Sequence, residues 1–192
     1  FADYRRARYL VYVSKPLTML LIILVALRAG EPLSQFYKYS IVAGLACSAV
    51  GDIFLMLPQK RFIEGLVSFL VAHLFYIAAF LSGMTVQFSV LPLLLLLLYA
   101  IIMLRMLFPH LGKMKLPVLI YILVITAMAW IALERFLQIK EIKTLLAFSG
   151  ALFFVISDSS LALNRFVRKS EYAQALILST YFSAQWLIAM SI

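Results

Sequence analysis

Residues 91–107, LPLLLLLLYAIIMLRML, carry a single charge, Arg105. Such a run constrains the fold more than any other feature of the chain. About 20 apolar residues, roughly 17–25, cross the hydrocarbon core of a bilayer as a helix. Only a helix or a closed barrel satisfies its backbone there. Six further runs read the same way, which gives seven expected spans: 10–28, 36–57, 63–82, 88–108, 116–134, 142–163 and 172–191. The connections carry the chain breakers Gly30, Pro32, Pro58, Gly83, Pro109 and Gly112. Pro16, Pro92 and Pro117 fall near span starts, where a missing N–H costs little. The chain is 65% hydrophobic and 13% charged, against about 45–50% and about 25% in a soluble domain. The expected fold is all-α and polytopic, one transmembrane domain over residues 1–192.

The net charge is +9. Its Lys and Arg residues fall between apolar runs rather than in one patch, so they face anionic lipid headgroups and not a nucleic acid. Arg5, Arg6, Arg8, Lys15, Lys60, Arg61, Arg105, Lys113, Lys115, Arg165, Arg168 and Lys169 collect on one side. Only Arg28, Lys38, Arg135, Lys140 and Lys143 fall on the other. Positive residues stay inside, so the first side is expected to be cytoplasmic and the C-terminus to face outward. Cys47 is the single cysteine. It excludes an internal disulfide and a Cys-based zinc site, and its apolar surroundings suit a packed thiol.

Two carboxylates interrupt apolar runs. GLACSAVGDIFLML begins at Gly44 and contains Asp52; GALFFVISDSSLAL begins at Gly150 and contains Asp158. Each has Gly eight residues before the Asp, a small residue just before it, and Leu three and five residues after. The spans that follow also align, with His73 over Gln185 and Phe69 over Tyr181. Matching the second span to the sixth implies a parallel repeat of two four-helix units, roughly 1–85 and 86–192, related by an axis along the membrane normal. Eight spans would complete it, so an eighth is expected upstream of Phe1.

An ionised carboxylate at bilayer depth costs roughly 2.5–3.5 kcal/mol on insertion scales, so such residues face a bundle interior or a wet cavity. A structural Asp bonded to backbone or to Lys is the plain alternative. Gly44, Ser48 and Asp52 share a helix face that another helix or a ligand can approach closely. His73 and Tyr76 lie one turn apart on the third span, and Tyr181 and Gln185 share a face of the last. Lys15 opens the first span, where it either snorkels or meets an anion. Asn164 closes the sixth, as a C-cap or a ligand. All of these side chains fall in the expected cytoplasmic half, which a shared cavity explains and scattered packing residues do not. No G-x-S-x-G, H-E-x-x-H or C-x-x-C occurs. His110 sits in a basic loop, and His73 with two Asp would make a poor zinc site, so no metal or other cofactor is expected.

The segments KPL (15–17), GDIFL (51–55), SFLVAHLFY (68–76), SDSSLA (157–162) and TYFSAQWLIA (180–189) together resemble the YhhN family, which includes the lysoplasmalogenases. They run in order through nearly the whole chain, with Phe182 where a second hydroxylated aromatic is expected. The resemblance implies eight spans, a lysophospholipid substrate and a bacterial cell membrane. It also implies hydrolysis of a lysoplasmalogen vinyl ether to a fatty aldehyde and glycerophospho-ethanolamine or -choline.

That chemistry suits the residues. Protonating the vinyl carbon beyond the one bonded to oxygen gives an oxocarbenium ion, to which water adds. Two carboxylates in different protonation states supply acid, base and a countercharge, as in glycosidases. Asp52 and Asp158 are therefore expected to converge as the acid/base pair, with either as the acid. His73, Tyr181 and Gln185 would orient the pair and the water. Lys15, Ser48, Tyr76 and Asn164 would contact the lipid, with Lys15 and Asn164 at its phosphate. The rival reading is a proton-coupled carrier for a small solute, which would need polar residues in the outer half as well.

Overall fold

The structure is a computed structural model. It describes residues 2–30, 34–57, 61–85, 89–170 and 172–192, with side chains from Val13 onward. Pro32, Pro58 and Lys60 lie outside the described residues, as do the side chains of Arg5, Arg6 and Arg8.

The described chain is all-helical: α1 (Ala2–Arg28), α2 (Gln35–Met56), α3 (Phe62–Leu81), α4 (Val90–Leu107), α5 (Lys115–Ile139), α6 (Ile142–Ala162) and α7 (Ala173–Ala189). Pro92 and Pro117 sit in the first turns of α4 and α5, where no intrahelical donor is lost. Pro16 differs from expectation: it lies well inside the 27-residue α1 and removes a rung there. A π-helical turn, Leu163–Val167, extends α6, closed by the Arg168 N–H donating to the Leu163 carbonyl at 3.0 Å.

Five segments, from α2 through α6, are long and apolar enough to cross a membrane. The other two expected spans are helical as α1 and α7. The first carries Arg5, Arg6, Arg8 and Lys15 up to its midpoint and Arg28 in its last turn, and α7 has 17 residues. Leu91, Leu94, Leu95, Leu98, Ile101 and Ile102 of α4 are all at least half exposed. Contiguous apolar surface of that extent is a lipid contact, not a water contact. The chain is a helical membrane protein.

Around the core the helices pack in the order α1, α2, α3, α5, α6, α7 and back to α1, while α4 leans on α5 from outside. The most extensive contacts are α2 with α3 and α6 with α7. Glycines set both. A Cβ on Gly44 would come within 2.3 Å of the Tyr76 ring, and one on Gly51 within 2.8 Å of Phe69. A Cβ on Gly150 would fall 2.9 Å from the Ala184 carbonyl oxygen. With no hydrophobic drive between helices in lipid, such close approach is the main source of association.

The expected outer end is less bare than the sequence suggests. Arg135 of α5 is buried, and its Nη1 donates to the carbonyl oxygens of Phe80, at 2.8 Å, and Ser82. Its guanidinium stacks 5.1 Å from the Tyr37 ring centroid. Glu134 is also buried and accepts from Ser89 N–H (2.9 Å), Ser89 Oγ (3.2 Å) and Trp130 Nε1 (3.2 Å). Tyr37 and Ser191 share a hydrogen bond of 2.7 Å between their hydroxyls. These groups close the C-terminus of α3 and the starts of α2 and α4 into one plug.

Overpacking a tight seam costs about 1–3 kcal/mol. Gly44→Ala and Gly150→Ala are each expected to lower the thermal unfolding midpoint in detergent. Gly30→Ala, with nothing within 4 Å of the added Cβ, is expected to leave it unchanged.

Candidate functional site

Asp52 lies on the α2 face that Gly44 and Ser48 open, and is 3% exposed. The Tyr181 hydroxyl of α7 donates to its Oδ2 at 2.5 Å, the length of a charge-assisted O–H···O bond. Met19 Sδ of α1 packs 3.5 Å from the same hydroxyl. The Lys15 ammonium, also on α1, lies within electrostatic reach of Asp52. Lys15 is half-buried, so it faces the carboxylate from inside the bundle rather than snorkelling at its edge.

Asp158 has a different setting. The Tyr121 hydroxyl of α5 donates to its Oδ2. Its Oδ1 makes no hydrogen bond among the described residues. Beside it, Tyr99 of α4 and Ser159 share a hydrogen bond between hydroxyls, and Ser159 Oγ also reaches the Val155 carbonyl at 2.5 Å. Asp158 opens onto a pocket of about 50 Å³ between α3, α4, α5 and α6. Phe69, Ile125 and Val155 form its deep end, and Phe62, Leu107 and Phe166 its shallow end, toward the basic connections. Asp52 is not among the lining residues. The two carboxylates nevertheless lie close enough for their charges to interact.

An aromatic cluster separates and fixes the two sites. Phe154 meets Tyr181 edge-on at 5.6 Å, Phe69 at 6.2 Å and His73 at 4.7 Å between centroids. His73 in turn meets Tyr121 at 5.3 Å. Edge-to-face contact at these distances is the preferred geometry of aromatic rings. The cluster therefore holds the two phenols that bond the carboxylates.

Below it a polar chain runs through the core. Ser48 Oγ lies 3.5 Å from Tyr76 Oη, which donates to Gln185 Oε1 at 2.7 Å. Gln185 Nε2 and both ring nitrogens of His73 are buried and have no hydrogen-bond partner among the described residues. A buried polar group left this way costs about 1–3 kcal/mol, so each is a candidate for contact with a reactant.

The structure thus brings together Lys15, Asp52, Tyr181, His73 and Asp158, with Ser48, Tyr76 and Gln185 as a neighbouring chain. Asn164 stands apart: its Oδ1 accepts from Ser170 N–H at 2.8 Å and ties down the connection after the π-turn. Sequence reasoning missed Tyr121, Tyr99 and Ser159. The available signal for Tyr121 was the repeat, since Lys15 and Tyr121 differ by the same 106 positions as Asp52 and Asp158. Among the described residues, no three His, Cys, Asp or Glu side chains are grouped to hold a metal ion.

Residues 10–192 match the YhhN family. "Uncharacterized membrane protein YhhN" of Escherichia coli O157:H7 is 32% identical over 192 residues, covering 100% of this chain and 91% of the relative. "Lysoplasmalogenase TMEM86A" of Homo sapiens is 38% identical over 184 residues, covering 92% of this chain and 74% of the relative. "Lysoplasmalogenase TMEM86B" of Sus scrofa is 35% identical over 178 residues, covering 92% and 72%. No solved structure matches. By a match that runs through all seven helices, the chain belongs to the YhhN family.

Proposed function

We propose that the protein hydrolyses the vinyl ether bond of lysoplasmalogens, releasing a fatty aldehyde and a glycerophospho-ethanolamine or -choline. One observation carries this reading. Two carboxylates, Asp52 buried and Asp158 half-buried, lie within electrostatic range of each other, each held by a tyrosine hydroxyl, and only Asp158 lines an apolar pocket. The substrate class is supported by relatives named lysoplasmalogenase.

The asymmetry assigns the roles. Asp52 has a cation within reach, which favours its charge, and it is walled off from the pocket. Asp158 has a phenol instead of a cation, and it lines the pocket. One negative charge suits the pair better than two. Asp158 therefore carries the proton and Asp52 the charge. Asp158 gives its proton to the vinyl carbon beyond the one bonded to oxygen, and the C=C electron pair forms the new C–H bond. The positive charge left on the C–O unit is offset by the Asp52 carboxylate. Water then adds to the cation, and Asp158, now ionised, takes its proton. Collapse of the hemiacetal passes one proton to the glycerol oxygen and breaks its bond to carbon. The sum is one ether and one water to one aldehyde and one alcohol.

His73 and Gln185 retain the donors and acceptor a water needs, and both lie against Tyr76. They are assigned to the attacking water. Apolar walls at Phe69, Ile122 and Val155 keep other water from the cation. The closed packing order of six helices supports reading 1–85 and 86–192 as two repeats, with a carboxylate from each meeting near their axis. A carrier would need a second mouth. At the opposite end, Arg135 and Glu134 are bound to backbone and side chains, which favours a site with one opening.

Purified protein is expected to release free aldehyde from alkenyl glycerophosphocholine. Asp158→Asn should lower kcat by about 10²–10⁴, the range of a lost general acid, with thermal stability close to wild type. Asp158→Asn with near-normal kcat rules out this assignment. A second test needs no variant. With turnover in heavy water, the aldehyde should carry one deuterium on the carbon next to the carbonyl, read by mass spectrometry of the trapped product. An aldehyde with none there excludes protonation at carbon.

A further inference from the structure

We infer that Arg165, at the shallow end of the pocket, binds the phosphate of the substrate lipid and so sets the depth at which the vinyl ether meets Asp158. This rests on the reaction proposed above.

Arg165 lies in the π-turn that extends α6. Its guanidinium carbon sits 3.7 Å from the Phe62 ring centroid and 5.8 Å from that of Phe166. Those two rings meet edge-on at 5.8 Å, and both line the pocket. The cation is thus stacked on the wall of the mouth. Stacking through the guanidinium face leaves the N–H edge free for an anion, which it can grip through two parallel hydrogen bonds. Among the described residues no carboxylate pairs with Arg165.

The other cations at this end are disposed differently. Arg61 is paired with Glu64 at 3.0 Å. Lys115 stacks on Phe108 at 4.6 Å, and Phe108 does not line the pocket. Arg105 borders a separate depression with Leu104, Phe108, Pro109 and Leu119. Lys15, which the sequence assigned to the phosphate, is held near Asp52, and Asn164 is tied to Ser170. Arg165 alone of these stacks on rings that line the pocket.

Spacing matches the ligand. Arg165 follows Asp158 by seven residues, so the rise between them is at most about 10 Å, about 1.5 Å for each α-helical residue and less through the π-turn. Asp158, Ala162 and Phe166 line the pocket over that stretch. In a lysoplasmalogen, seven bonds separate the protonated carbon from phosphorus, about 8 Å when extended at bond lengths near 1.5 Å. A phosphate at Arg165 therefore brings the vinyl carbon within reach of Asp158.

The test compares kcat/KM for alkenyl glycerophosphocholine with that for alkenylglycerol, the same ether without phosphate. Wild type should prefer the phosphate-bearing lipid. Arg165→Met should lower that preference about 10–100-fold, as expected for losing a hydrogen-bonded ion contact, and Arg165→Lys should restore part of it. Arg61→Met controls for surface charge and should leave the preference at the wild-type value. A preference within about twofold of wild type in Arg165→Met overturns the inference while the reaction stands. Equal use of the two lipids by wild type does the same. Failure of wild type to release aldehyde from either lipid instead sinks the reaction. Inorganic phosphate separates a tethered from a free anion: it should leave alkenylglycerol turnover unchanged, and a faster rate overturns the lipid assignment.

Discussion

Two carboxylates in hydrocarbon set the terms for everything around them. Neither can be solvated by lipid, and an isolated charge there costs several kcal/mol. The bundle answers with hydroxyls: Tyr181 from α7 reaches Asp52 on α2, and Tyr121 from α5 reaches Asp158 on α6. The first bond joins residues 129 apart in the sequence, and the second joins two consecutive helices. The phenols are held by edge-on contacts through Phe154 and His73. The aromatic core is therefore the support that keeps the two carboxyl groups at a fixed separation, and the glycine seams at Gly44 and Gly150 let the helices close around it.

A duplicated architecture would by itself give two equivalent carboxylates. Equivalence is a poor basis for acid catalysis, since two groups of the same tendency share protons without preference. The two carboxylates differ in their neighbours, with Lys15 within electrostatic reach of Asp52 and the Tyr121 hydroxyl donating to Asp158. A cation and a phenol are the two ways to stabilise a carboxyl group. The first favours the ion, while the second accommodates either state. A second difference is access, since the pocket meets Asp158 and not Asp52. Both differences fit the proposed roles, in which Asp158 is the acid and Asp52 the countercharge.

Much of this was legible in the sequence, for physical reasons. Periodic apolar runs bounded by Gly and Pro report helices because the bilayer leaves the backbone little choice. Asp52 and Asp158 stood out because charges in such runs are costly. Tyr121 did not, since a tyrosine among apolar residues in LPVLIYILV reads as packing until a partner is placed beside it. Glu134 and Arg135 read as loop charges because they fall at the end of an expected span. Their burial depends on the carbonyls of Phe80 and Ser82 turning toward α5, which no local pattern encodes. Arg165 was counted among residues facing anionic headgroups. Its place over the pocket depends on the π-turn and on Phe62 of another helix.

The plug at the opposite end bears on what kind of protein this fold can be. Alternating access needs an interface that rearranges at low cost on both sides of the site. Arg135 binds two α3 carbonyls and stacks on Tyr37, so opening that end would strand a buried guanidinium and two acceptors together. Breaking a buried charged contact is costly because the remaining group stays buried and unpaired. At the basic end, by contrast, the groups around the pocket mouth are aromatic side chains and exposed cations, which can part and close without leaving a buried polar atom unsatisfied. A bundle locked at one end and yielding at the other suits the proposed hydrolase, in which a lipid enters and its products leave by the same side, better than it suits a carrier.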